Sequence, residues 1–216
     1  MALFEQIDDQ RGYLEALSNA PFFLVPNGRL AEAIATGREG YERLTAGGQT
    51  AAALHAYSQV GLAHLQAGRP QAAAEVLTEI IAEARRHRIL TLVARDTYWL
   101  CQARLALGQL AGAADAVTEL SGHMRDFGSS GAFYLAHARG CVHLARGEYA
   151  DARRQLAEAV EVARAIHDPM FETRCLIDLL DPRLYDGHEV RAAIGQENTR
   201  WRWPAVSTTR ICSPVR

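Results

Sequence analysis

The sequence predicts an all-α fold: an α-solenoid of antiparallel helical hairpins with a period of about 40 residues. Three observations predict it. The segments NGRLAEAIATG, AGRPQAAAEVLTEI, LGQLAGAADAVTEL and RGEYADARRQLAEA align without gaps. Each carries a glycine followed five residues later by an alanine (Gly28 and Ala33, Gly68 and Ala73, Gly108 and Ala113, Gly147 and Ala152), and the glycines recur at steps of 40, 40 and 39 residues. Around each turn the apolar residues keep helical rather than strand spacing.

The elements follow in order. In the first unit, the helix after Gly28 carries Gly37 and Gly40 where inner copies have large residues or a small non-glycine one, as expected of a terminal repeat whose outer face meets water. In the second, Leu54, Tyr57, Val60, Gly61, His64 and Leu65 form one stripe that stops at Gly68, a residue able to take positive φ. Pro70 follows at an early helical position, where its missing N–H is harmless. Ala72, Ala73, Val76, Leu77, Ile80, Ile81 and Ala84 then line one face of the downstream helix. ILTLVA, residues 89–94, is strand-like by local propensity but sits where the third unit's upstream helix begins, so it is read as helix. The FGSSG segment containing Ser129 and Ser130 is read as a flexible connection between repeats.

A fifth, weaker copy places Gly187 and Ala192 another 40 residues on, with Asp181 and Pro182 interrupting its upstream helix. Residues 1–195 are thus expected to form one helical-repeat domain of about four full hairpins plus a degenerate fifth. Residues 196–216 lack helical period and are expected to be an irregular tail. A lone hairpin cannot repay its ordering cost of about 1–2 kcal/mol per residue, so neighbours must share a continuous core.

Composition narrows the function. The 216 residues carry 23 basic and 25 acidic groups, a net charge of −2, so charge selects no partner class and direct nucleic-acid binding is not expected. All basic residues are arginine; the absence of lysine excludes a Walker-type phosphate lysine, a Schiff base and a lysine general base. No apolar run is long enough to cross a bilayer and the first residues lack signal-peptide character, so a cytoplasmic protein is the expectation. Cys101, Cys141, Cys175 and Cys212 accordingly read as free thiols.

With the phase fixed, the second unit resembles a tetratricopeptide repeat: Tyr57, Val60, Gly61 and His64 occupy the first four positions of the pattern, Ala73 and Leu77 the last two. The third unit departs from it at Cys101 and Arg104, and the fourth at Arg139 and His143. The long period is similar to repeats in the sensor regions of LuxR-type ATP-dependent bacterial regulators of the maltose-regulator class. This chain shows no ATP-binding motif and no helix-turn-helix segment, so neither activity is carried over. The resemblance implies a non-catalytic scaffold that binds a protein or peptide on its concave face, in transcriptional or signalling regulation. It also implies that upstream helices line a groove, which points to His55, Ser58 and Leu62; Arg95, Tyr98 and Gln102; and Tyr134, His137 and Cys141. Aromatic rings would supply contact area and the polar tips register.

Two alternatives are weighed beside it: a sensor fragment of a larger regulator, and a helical-repeat phosphatase or metal hydrolase. For the enzyme, no GxSxG elbow, HExxH or CxxC occurs. His137 and Cys141 are spaced i, i+4, which suits two ligands of one ion, but a third and fourth ligand are missing from the sequence pattern, so no metal and no cofactor are expected. His64 and His143 share a repeat phase and read as packing residues with a hydrogen-bonded ring nitrogen. The run Arg85, Arg86, His87 and Arg88 is explained by the dipole of the helix it ends. An unfinished last unit leaves an apolar end that a second copy could cover.

Overall fold

The computed structural model describes residues 9–122 and 128–185. All regular elements among them are helical: α1 (Gln10–Leu24), α2 (Leu30–Ala46), α3 (Thr50–Gln66), α4 (Pro70–Arg86), α5 (Leu90–Ala106), α6 (Leu110–Gly122), α7 (Gly128–Arg146), α8 (Tyr149–Ala165) and α9 (Pro169–Leu179), then a 3-10 turn at Pro182–Leu184. The chain divides between Leu107 and Gly108 into two compact units. In the first, each helix packs on the next in sequence, and α3 also touches both α1 and α5. In the second, α6 to α9 pack consecutively and α7 also meets α9. Each unit is therefore built of antiparallel helical hairpins.

The turns show why the rhythm is so regular. Helices α2, α3, α4, α5 and α8 are each 17 residues long. After α3, Gly68 takes φ +70°, its N–H bonds to Leu65 O and that of Arg69 to His64 O, the paired bonds of a Schellman ending. The same turn recurs after α4 and α8, but there Arg88 and His167 adopt φ 57° without glycine. The structural step is thus one helix and one turn, about 20 residues, and glycine marks only some of the turns.

Packing inside the hairpins pairs a large residue with a small one. A Cβ on Gly61 would stand 2.8 Å from Leu77 Cγ, and one on Gly140 2.7 Å from Leu156 Cγ, so each glycine is the notch that receives the facing leucine. In the first hairpins the roles are exchanged. Gly37 lies where a Cβ would be 2.5 Å from Val60 Cγ2, and Gly40 is pressed between Ala56 and Leu17. These glycines are buried contact points, not the weakened outer face expected from the sequence.

Ala73, Val76, Leu77, Ile80, Ile81 and Ala84 are all buried, as the apolar stripe of α4 predicts. Residues 90–94 are helical, with Ile89 at the N-cap of α5. That helix is buried on nearly every face, so its sequence has no clean stripe. The FGSSG segment differs from expectation: Gly128 to Ser130 already belong to the first turn of α7. Its run into Ala132 and Phe133 continues the helix, and Ser is a poor helix former only in the interior. At the far end, Asp168 accepts hydrogen bonds from the N–H groups of Met170 and Phe171 and starts α9, which stops before Asp181 and Pro182 as expected. The fifth copy at Gly187 and Ala192, the tail 196–216 and Cys212 lie outside the described residues.

Candidate functional site

Four side chains of the first unit meet between α3 and α5. Ser58 Oγ donates to Asp96 Oδ1 at 2.6 Å and accepts from the Arg95 guanidinium at 2.6 Å. Arg95 Nε also donates to Asp96 Oδ1 at 3.2 Å, and its remaining nitrogen approaches His55 Nδ1 at 3.4 Å. Helical spacing puts His55 and Ser58 on one face of α3, opposite Arg95. Asp96 is fully buried, whereas the Arg95 side chain is 21% exposed. Burial, followed by the charge of Arg95, holds the His55 imidazole below its ordinary pKa despite the opposing effect of Asp96. A neutral ring can accept the guanidinium proton.

This geometry immobilises a cation rather than activating a nucleophile. The acceptor for the Ser58 proton is a carboxylate already paired with Arg95, and His55 meets the guanidinium instead of the hydroxyl. Buried charge is tolerable because it is paired and hydrogen-bonded. The second oxygen of Asp96 has no hydrogen-bond partner among the described residues.

Of the other expected groove residues in this unit, Tyr98 is completely buried and edge-on to Trp99, with ring centroids 4.8 Å apart. Gln102 is also buried, its Nε2 without a partner among the described residues. Leu62 is half-buried against the cluster of Val25, Ala33 and Ala63. Solvent therefore reaches His55 and Arg95, while Ser58, Tyr98 and Gln102 stand behind them.

In the second unit, Tyr134 is half-buried and meets the Phe171 ring edge-on at 5.6 Å. His137 is fully buried; Phe133 stacks on its ring at 5.5 Å, and one ring nitrogen, Nε2, lies 2.7 Å from Asp178 Oδ2 of α9. Cys141 Sγ is 3.8 and 3.9 Å from the two nitrogens of His137. Near-equal distances mean that neither nitrogen points squarely at the sulfur, so the pair lacks the in-line contact of a thiol and its base.

Asp96 and Asp178 were not among the sequence-predicted residues. Each is the one acid of a largely apolar helical run, TLVARDTYWLC and CLIDLL, and that is the signal that finds them. They play matching parts: Ser58 and His137 occupy the same repeat phase and each reaches an acid on the next upstream helix. The histidines expected to be hydrogen-bonded packing residues divide. His143 pairs with Glu148, but neither ring nitrogen of buried His64 has a partner among the described residues. Among the described residues Cys101, Cys141 and Cys175 are buried and form no disulfide.

Compared with known proteins, the chain matches no protein-family model and no curated protein.

Proposed function

We propose that this protein is a non-catalytic helical-repeat scaffold that binds a protein or peptide along its upstream helices, in cytoplasmic transcriptional or signalling regulation. The observation that carries the reading is the tethered Arg95. A partly exposed guanidinium fixed by Ser58, Asp96 and His55 has already lost most of the freedom that binding would otherwise remove. Beside a neutral His55, it offers donors to a carboxylate or backbone carbonyl of an incoming segment, which suits recognition by register and shape. Among the described residues no helix is long and apolar enough to cross a membrane.

Selection from a displayed random peptide library tests this. A consensus should emerge whose affinity falls about tenfold or more (a loss of about 1.4 kcal/mol) in His55→Ala and Arg95→Lys. Far-UV circular dichroism should stay unchanged. Arg95→Lys keeps the charge but loses the fork geometry. Failure to enrich any consensus, or a consensus indifferent to both changes, would remove this face from consideration.

A further inference from the structure

We propose that His137, Cys141 and Asp178 form a binding site for a divalent transition-metal ion of the zinc class, built between α7 and α9. The ligand atoms offered by the three side chains all lie within 4.8 Å of one another. The i, i+4 spacing that places His137 and Cys141 on one helix face lacks a third ligand in the sequence, and the tertiary structure supplies it from the next upstream helix.

Charge fits, and the ligand atoms, none more than 4.8 Å apart, lie within reach of one ion. Ligand atoms on one tetrahedral zinc ion stand roughly 3.3 to 3.6 Å apart, given metal bonds of about 2.0 Å to nitrogen or oxygen and 2.3 Å to sulfur. Cys141 Sγ is 3.9 Å from Nε2, the His137 nitrogen that faces Asp178, within about half an ångström of that. The His137–Asp178 hydrogen bond of 2.7 Å needs to open by only about half an ångström to admit an ion. A thiolate, a carboxylate and a neutral imidazole around a doubly charged cation sum to zero, the arrangement a buried site requires. A nitrogen, sulfur and oxygen donor set favours zinc and its neighbours over calcium or magnesium, which take oxygen ligands.

The surroundings are those of a held site. Phe133, on the same helix as His137, stacks on the imidazole at 5.5 Å and on Phe171 of α9 at 4.1 Å, so the ring that backs the imidazole also joins the two helices. Asp178 is 16% exposed, which opens a path for the ion and leaves room for a solvent molecule as fourth ligand. Cys175, one turn back on α9, lies outside the triad.

Cobalt(II) titrated into the reduced full-length protein is the test. The wild type should develop tetrahedral d–d bands and a thiolate-to-cobalt charge-transfer band that saturate at one equivalent and vanish on adding zinc. Cys141→Ser should abolish the charge-transfer band, Asp178→Asn should weaken cobalt binding at least about 100-fold, beyond what outer-shell losses produce, and Cys175→Ser should change neither. Because a variant could unfold, X-ray absorption of the zinc-loaded wild type gives an independent reading, with one sulfur among nitrogen and oxygen neighbours expected. No thiolate band in the wild type, a band that survives Cys141→Ser, or a shell with no sulfur or with two would overturn the proposal.

Discussion

His64 shows how a single residue can be decided by its neighbours. It occupies the position where the repeat pattern has tyrosine, and its ring is buried with both nitrogens lacking partners among the described residues. Burial, then the charges of Arg38 and Arg69, hold its pKa below the ordinary histidine value. A base whose pKa is depressed by folding binds its proton more readily in the unfolded chain, so stability is intact above the unfolded value near 6.5 and is lost as pH falls through the folded one. Denaturation curves from about pH 7 down to about pH 5 should therefore show falling stability, with a shallower slope in His64→Leu than in the wild type. His55, shifted the same way, contributes to the slope that remains. An identical slope in His64→Leu would mean that the ring finds a partner in solution.

At the scale of the element, the turn rather than the helix sets the repeat. The Schellman endings require one left-handed residue each, and at Arg88 and His167 the chain accepts that conformation with a Cβ present. Arg88→Gly should stabilise the protein by about 1 kcal/mol, because relief of the left-handed strain outweighs the added freedom of glycine in the unfolded state. The checking measurement is the shift in urea midpoint at constant m-value, and a lower midpoint would mean that the Arg88 side chain contributes more than its backbone costs. The exchanged notch at Gly37 and Val60 carries a second lesson. A glycine inside a helix costs roughly 0.5–1 kcal/mol relative to alanine, and at Gly37 it lets Val60 come closer than a Cβ would allow.

For the whole molecule, the chain divides between Leu107 and Gly108 into two compact units. Leu77 is fully buried in the notch of Gly61, so Leu77→Ala should destabilise by about 2–5 kcal/mol. In a repeat protein, stability is close to a sum of local and nearest-neighbour contributions. Hydrogen exchange should accordingly rise most in α2 to α5 and least in α8 and α9. A uniform loss of protection across residues 9–185 would instead mean that the chain opens as one cooperative body.

Helix type, helix order and the buried stripe of α4 were legible in the sequence because they depend on spacing along the chain: apolar residues that share a helix face are neighbours by period alone. The half-step of 20 was hidden because Arg88 and His167 do at two turns what glycine does at others, and composition does not reveal φ. His55, Ser58 and Arg95 were legible as a set through their phase. Asp96 and Asp178 were not, and neither was the burial of Tyr98 and His137. Those depend on which side chain of the next helix arrives opposite, a choice made by packing between segments about 40 residues apart.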